Sequence, residues 1–170
     1  MTLPTLADIE QLAAARGLLL RLQVRRVLVV TTVRVVVARP REGQAPLLLG
    51  ELKGWALPLP DGLQLDTMRV QGPQTQGVGA LIWAATFAWA LETTPCRSAR
   101  LLAIRDNDQQ HRRLVRYFKR LGFEPIRDVG AAAADLPLRL VWGGAGLLMR
   151  GDCQAGLERS WRSLGLQPGI

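Results

Sequence analysis

A short loop of glycine and amide residues, Gln74-Thr75-Gln76-Gly77-Val78-Gly79, separates two segments of opposite character. Before it, Leu63–Val70 alternates apolar and polar side chains, a period of two that predicts a β-strand. After it, Ala80–Glu92 is almost entirely apolar and contains neither Gly nor Pro, which predicts a helix buried on most sides. A strand, a glycine loop and a buried helix in this order can bind phosphate.

The reason lies in the backbone. The first turn of a helix has N–H groups without intrahelical partners and carries the positive end of the helix dipole. Because Gly77 and Gly79 lack a Cβ atom, an anion could approach these N–H groups closely.

Two other nucleotide-binding loops do not fit. A Walker loop requires a Lys followed by Ser or Thr, whereas Gly79 is followed by Ala80 and Leu81. A Rossmann fingerprint requires a third glycine, an early strand and a later acidic residue for the ribose. The pattern Gln/Arg-x-x-Gly-x-Gly/Ala does fit, although a glycine turn that only leads into a core helix is equally open at this point.

The composition indicates one globular domain. The chain has 170 residues, of which 48% are hydrophobic, enough to bury a core. No apolar run reaches the roughly 18 residues that span a bilayer, and Asp8 and Glu10 interrupt the N-terminal segment where a signal peptide would be apolar. The two cysteines have no metal-ligand spacing, so we expect no disulfide framework, no metal site and a cytoplasmic location.

The formal net charge of +8 indicates an anionic partner. An acidic protein, nucleic acid and a polyanionic cofactor such as CoA are all compatible with it. The arginines are spread among apolar residues and form no basic tail, which disfavours nucleic acid without excluding it.

The remaining patterns predict an α/β domain. Thr5 is placed to cap the first helix and Gly17 to end it. In chain order we predict a helix at Leu6–Ala15, two or three strands within 18–38, strands at Leu47–Leu57 and Leu63–Val70, the helix from Ala80, a strand at Ala99–Arg105, a helix at Gln109–Leu121, strands at Phe123–Arg127 and Leu138–Met149, and a helix at Asp152–Leu164.

Two motifs together resemble the acyl-CoA site of the GNAT superfamily of N-acyltransferases. The first is the glycine loop ending at Gly79. The second is Ala99–Phe123, where a buried strand ends in Asp106-Asn107-Asp108 and a basic helix closes on an aromatic residue, three further residues and Gly-Phe. The resemblance covers about Leu47–Met149 of a single domain, residues 1–170. It implies an α/β fold whose mixed, mostly antiparallel sheet has a splayed parallel strand pair and flanking helices.

The resemblance also implies where acetyl-CoA, or another acyl-CoA, would lie. Its pantetheine arm would pass between the strands Leu63–Val70 and Arg100–Arg105, with the pyrophosphate on backbone N–H groups of residues 76–80. Asn107 would contact the pantetheine or merely cap the next helix, and Arg112 and Arg113 would meet the 3′-phosphate or merely face solvent. The implied cofactor-binding residues are Met68, Val70, Gln74, Thr75, Gln76, Gly77, Val78, Gly79, Ala80 and Asn107.

The catalytic part of the pattern departs from the family. The family often places a Tyr that acts as general acid four residues before the glycine of Gly-Phe. Phe118 at that position has no proton to give. Tyr117, about 100° around the helix, is the candidate acid if the register shifts by one, and otherwise a packing or surface residue. Asp66 is the first candidate base and Glu51 the second, with an exposed strand residue as the alternative for both. His111 falls near the expected adenine end.

Two functions therefore compete. The first is an acyl-CoA-dependent N-acyltransferase that moves an acetyl group to the primary amine of a small molecule or protein. The second is a catalytically degenerate GNAT-fold binding or assembly protein for an acidic protein partner or RNA, which Phe118 and the basic composition favour. Trp55 and Trp142 would suit the wall of an acceptor site, although core packing is the simpler interpretation.

Overall fold

The computed structural model of the chain describes residues 2–105, 107–130, 137 and 145–165. Within these residues, seven strands form one sheet in the order β1-β2-β3-β4-β5-β7-β6. The elements are α1 (Leu6–Ala15), β1 (Leu19–Val27), β2 (Val30–Arg41), β3 (Gln44–Ala56), β4 (Leu63–Val70), α2 (Val78–Thr93), β5 (Ser98–Ile104), α3 (Asp108–Arg120), β6 (Phe123–Val129), β7 (Gly146–Asp152) and α4 (Cys153–Gly165).

The pairing of the strands confirms the predicted fold class. Strand β4 runs parallel to β5, and the other five pairings are antiparallel. A right-handed crossover through a helix is the usual way to join two adjacent parallel strands, and α2 joins β4 to β5. The mixed, mostly antiparallel sheet with one parallel pair is therefore the predicted architecture.

Helix α2 is the centre of the hydrophobic core. Every residue from Leu81 to Ala90 is buried, because α1, α4 and the strands β2 to β4 surround the helix. The ring of Trp83 in α2 stacks on Phe87 with 5.7 Å between ring centroids, and it packs edge to face with Phe118 at a centroid distance of 6.3 Å. Fully burying one such side chain contributes about 1.5–3 kcal/mol, so these contacts fix α2 firmly on the sheet.

Helix α1 has the predicted bounds and cap. Thr5 accepts a hydrogen bond from the Asp8 backbone N–H, and Asp8 accepts one from the Thr5 N–H. These hydrogen bonds to Thr5, first to its backbone and then to its hydroxyl, lower the pKa of Asp8 below its usual value. The Leu6 N–H donates to a Glu92 carboxylate oxygen at 2.9 Å, which ties the start of α1 to the end of α2.

Several predicted boundaries were wrong. The segment predicted to hold two or three strands holds two, but β2 continues to Arg41, beyond the predicted end at residue 38. The two strands are joined at Leu28 and Val29 without the Gly or Pro that usually marks a hairpin, and Leu28 takes a positive φ of 57°. Helix α2 starts at Val78, two residues before the predicted start, because the αL conformation of Gly77 already turns the chain into the helix. Strand β7 runs from Gly146 to Asp152, and residues 138–144 of the predicted strand, with Trp142, lie outside the described residues. Asp106 also lies outside the described residues.

Both cysteines are free and buried. Burial raises the pKa of the Cys153 thiol to about 12, so it stays protonated at neutral pH. Among the described helices, none is both long and apolar enough to cross a membrane.

We predict that Gly54→Ala destabilises the sheet where β3 meets β4. A Cβ at this position would lie 2.7 Å from the backbone oxygen of Gln64, and a backbone atom cannot rotate away as a side chain can. The expected loss is about 1–3 kcal/mol, which lowers the melting temperature by about 2–4 °C for each kcal/mol.

The control is Gly165→Ala, because a Cβ at Gly165 would meet none of the described atoms within 4 Å. Thermal unfolding followed by circular dichroism measures both variants. Equal melting temperatures for the two would contradict the proposed backbone clash.

Candidate active site

A cleft opens between the two parallel strands. Strands β4 and β5 pair only from Leu63 to Leu65, opposite Ala99 to Leu101. Both then continue without pairing to each other, β4 to Val70 and β5 to Ile104. Beyond Leu65 the edge of β4 that faces β5 therefore has backbone groups without ladder partners, available to a ligand.

A bulge at Asp66 accompanies this divergence. Lys53 of β3 pairs with Thr67 and the next residue, Gly54, pairs with Leu65, so Asp66 has no partner on β3. An extra residue of this kind bends its strand and increases the local twist. The bend falls where pairing between β4 and β5 stops, and it presents Asp66 at the mouth of the cleft.

The cleft holds a cavity of about 690 Å³. This volume is within the range of sites for small molecules and cofactors, roughly 300–1,000 Å³. Both apolar and charged side chains line it. The apolar lining includes Met68, Leu102, Ile104, Leu114 and Phe118, and the charged lining is Arg34, Glu51, Lys53, Asp66 and Arg69.

The N-terminus of α2 lies beside this cleft with unpaired donors. Gly77 caps the helix in the αL conformation (φ 78°) and provides no side-chain cap. The Val78 N–H donates to the Thr75 carbonyl at 3.1 Å, whereas the N–H groups of Gly79 and Ala80 have no partner within the described residues. Two free N–H groups at the positive end of a helix form an anion-binding position.

An arginine that the sequence analysis missed holds the loop before α2. Arg39, near the end of β2, donates to the carbonyl oxygens of Pro73 (3.3 Å) and Gln74 (2.8 Å). Gln74 itself takes a positive φ of 55°. The two hydrogen bonds fix the loop in the conformation that exposes the α2 N-terminus.

The remaining residues of the implied cofactor site lie on β4, in the loop that follows it and at the start of α2. Met68 lines the cleft, with its Cε 3.5 Å from the position that a Gly79 Cβ would take. Val70 is 41% exposed at the end of β4, and Gln76 is exposed in the loop. The side chain of Val78 is buried in the core, so this residue can offer a ligand only its backbone.

Asn107 caps α3. Its Oδ1 accepts hydrogen bonds from the N–H groups of Gln109 (2.9 Å) and Gln110 (3.3 Å). The structure thus supports the capping interpretation, and a contact between its amide nitrogen and a cofactor stays a prediction. In the next turn the Nδ1 of His111 lies 3.2 Å from the Ile104 carbonyl oxygen, and Arg112 Nε donates to the Asp108 carbonyl at 3.3 Å.

Tyr117 reaches from α3 to the first turns of α2. Its hydroxyl accepts a hydrogen bond from Trp83 Nε1 at 2.8 Å and lies 3.4 Å from the position of a Gly79 Cβ. Because Trp83 is the donor, the hydroxyl proton of Tyr117 is available to a third group. Burial raises the pKa of Tyr117 above its usual value, partly offset by the Trp83 hydrogen bond, so the phenol stays protonated at neutral pH. Phe118 instead lines the cleft and packs on Phe123 at 6.1 Å.

The two candidate bases differ in their surroundings. Glu51 accepts from Arg34 Nη2 at 2.7 Å and lies 3.3 Å from Lys53 Nζ. The Arg34 hydrogen bond lowers the pKa of Glu51, which weakens it as a base. Asp66 is exposed at the cleft, and within the described residues its carboxylate forms no ion pair and accepts no hydrogen bond. Of the two, Asp66 is the better placed to accept a proton.

No protein-family model matches the chain, and no curated protein matches its sequence. Solved structures are nevertheless similar to it. Nourseothricin acetyltransferase aligns with 89% of this chain and 96% of its own, with a TM-score of 0.50 and 18% identity. Aminoglycoside 6'-acetyltransferase type Ii aligns with 71% of this chain and 69% of its own, with a TM-score of 0.43 and 15% identity. The aminoglycoside 6'-N-acetyltransferase from Enterococcus faecium aligns with 71% of this chain and 73% of its own, with a TM-score of 0.44 and 12% identity.

At these identities the likeness concerns the fold. It rests on the alignment with nourseothricin acetyltransferase, which spans nearly the whole of both chains. The divergence of β4 from β5 and the uncapped helix that follows β4 are the features that the two sequence motifs implied. The chain therefore has the fold of the GNAT superfamily of N-acyltransferases.

Proposed function

We propose that the chain is an acetyl-CoA-dependent N-acetyltransferase that acts in the cytosol on a primary amine. One observation carries the proposal: the cleft between β4 and β5 lies beside a helix N-terminus with two unpaired N–H groups. A long ligand with a pyrophosphate at one position and an extended arm at another fits this combination.

The residues suit acetyl-CoA at both positions. The N–H groups of Gly79 and Ala80 would bind the pyrophosphate, and the unpaired edge of β4 would hydrogen-bond the amides of the pantetheine arm. Met68 and Leu102 offer apolar contacts along that arm. Acetyl-CoA supplies an activated acyl group, since a thiolate is a good leaving group.

The proposed reaction needs one proton acceptor and one proton donor. The acceptor amine attacks the thioester carbonyl, so that a C–N bond forms and the C–S bond breaks. Asp66, directly or through a water molecule, would take the proton that the amine loses. The leaving thiolate would take its proton from water, because the hydroxyl of Tyr117, the acid predicted from the sequence, lies beside the N–H groups proposed for the pyrophosphate and not at the thioester end. Much of the acceleration would come from holding the two reactants together.

The degenerate binding protein stays the second candidate. Phe118 supports it, because the family's usual acid position holds a residue that lines the cleft without a proton to give. Asp66 supports catalysis instead, because it is an exposed carboxylate at the mouth of the cleft without an ion pair within the described residues. Mutational tests separate the two candidates.

The first test concerns the cofactor. We predict that Gly79→Asp weakens acetyl-CoA binding at least tenfold, or by about 1.4 kcal/mol, because its carboxylate would repel the pyrophosphate. Isothermal titration calorimetry measures the affinity. The melting temperature should not fall, since a carboxylate in the first turn of a helix is favourable and a Cβ here meets only ordinary contacts of 3.4 and 3.5 Å.

The matched control is Gly79→Asn, which has nearly the same shape without the charge. It should lose less affinity than the aspartate variant. Equal affinities in the wild type and Gly79→Asp would remove the α2 N-terminus from the cofactor site.

A second test concerns Tyr117. Tyr117→Phe should weaken acetyl-CoA binding severalfold with little change in kcat, because a hydroxyl donor beside the proposed pyrophosphate position is lost while the ring still packs. Since the pKa of Tyr117 is raised above its ordinary value of 10.0, its deprotonation should not weaken binding below about pH 10. Trp83→Phe removes the hydrogen bond and keeps the hydroxyl, so it should retain most of the affinity. A fall in kcat at unchanged affinity would make Tyr117 the acid instead, and equal losses of affinity in the two variants would leave it only a packing role.

A third test concerns the base. Asp66→Asn should lower kcat/KM about a hundredfold at neutral pH, where the free amine is mostly protonated. The loss should shrink as the pH approaches the pKa of the amine, because a neutral amine needs less help. Glu51→Gln should leave the shape of the pH–rate profile unchanged. A profile of Asp66→Asn that parallels the wild type would exclude Asp66 as the base.

A further inference from the structure

A second cavity extends from the cleft across the sheet toward β1. Its volume is about 450 Å³, and it shares Arg34, Lys53 and Asp66 with the cleft. Arg25 and Trp55 line its far part. The shared residues make the two cavities one continuous groove, with Asp66 at the junction.

The strand register places the groove on one face of the sheet. Arg25 pairs with Thr32, and Thr32 with Trp55, so these three side chains form a row across β1, β2 and β3. The next row contains Arg34 and Lys53. Val33, between Thr32 and Arg34 on β2, and Leu52, next to Lys53 on β3, have side chains on the opposite face that are buried under the helices. The face with the groove is polar and accessible.

Charge is distributed unequally along this groove. At the junction with the cleft, Asp66 is a carboxylate without an ion pair within the described residues. In the middle, Glu51 partly neutralises Arg34 and Lys53. At its far end, the guanidinium of Arg25 has no ion pair or hydrogen bond within the described part of the chain. A molecule along the groove would meet a negative end and a positive end.

We propose that the acceptor is an amine that also carries an anionic group, with an apolar or flat portion between the two. The amine lies at Asp66 beside the thioester, the middle of the molecule packs on Trp55, and the anion pairs with Arg25. Strands β1 and β4 are three strand spacings apart, about 14 Å, so the two charged groups of the acceptor are separated by roughly 10–14 Å. A polycationic amine would be repelled by Arg25 and Lys53.

This inference rests on the proposed function, because it assumes that the cleft holds acetyl-CoA. The same chemistry can come from a peptide with an acidic residue near its N-terminus or from a small ω-amino acid. The experiment includes both sources. Its binding measurement does not depend on turnover.

The test uses three peptide amides that differ at one position, Ala-Phe-Asp-NH₂, Ala-Phe-Asn-NH₂ and Ala-Phe-Lys-NH₂. Calorimetry on the protein saturated with CoA should show the aspartate peptide binding about fivefold more tightly than the asparagine peptide, as an accessible ion pair permits. The lysine peptide should bind most weakly. The preference should decrease in high salt. A second pair, ω-aminooctanoate and octylamine, tests the small-molecule source.

The variant Arg25→Glu should reverse the order of the aspartate and lysine peptides. Arg26→Glu is the matched control, because it makes the same charge change one residue along β1, where the side chain lies on the opposite face of the sheet. It should leave the order of the peptides unchanged. The proposal is overturned if the wild type does not discriminate among the ligands, or if both variants change the order equally. If CoA itself does not bind, the proposed function fails as well. If CoA binds and no charge preference appears, only the acceptor class fails.

Discussion

The parting of β4 from β5 is the constraint on which the site depends. Two parallel strands that paired along their whole length would leave no unpaired backbone between them and no cleft. Here the pairing stops at Leu65 and Leu101, and the bulge at Asp66 bends β4 at the same place. Gly54 permits this geometry, because a side chain there would collide with the Gln64 carbonyl. One local irregularity thus opens the cleft and places a carboxylate at its mouth.

Helix α2 converts that cleft into a site for an anionic ligand. Its apolar surface is buried on all sides, so its position is fixed by packing and not by a cap at its N-terminus. Its first turn can therefore leave the N–H groups of Gly79 and Ala80 unpaired at little risk to the helix. Arg39 holds the preceding loop, and Tyr117 with Trp83 connects α3 to the same turn. Core packing thus stabilises α2 well enough for its N-terminal N–H groups to remain available to a ligand.

Local patterns in the sequence predicted the elements well but not the connections between them. The alternation of Leu63–Val70 and the apolar run after Gly79 gave β4 its observed bounds and most of α2, because both signals depend only on residues next to one another. The hairpin at Leu28 was missed, since a leucine with positive φ carries no turn signal.

The contacts that define the site were beyond a local pattern. The Asp66 bulge depends on how β3 and β4 pair, Arg39 reaches the loop from 34 and 35 residues earlier in the chain, and Tyr117 meets Trp83 across 34 residues. For Asn107 the sequence left a pantetheine contact and a helix cap open. The structure shows the cap, and the contact stays a prediction. Heteronuclear NMR titration with CoA would show whether the cleft and the α2 N-terminus together hold the cofactor. We expect saturable shifts of the Gly79 and Ala80 amides together with amides of β4 beyond Leu65. Shifts confined to the exposed arginines of α3, or no saturable shifts at all, would contradict this placement of the cofactor.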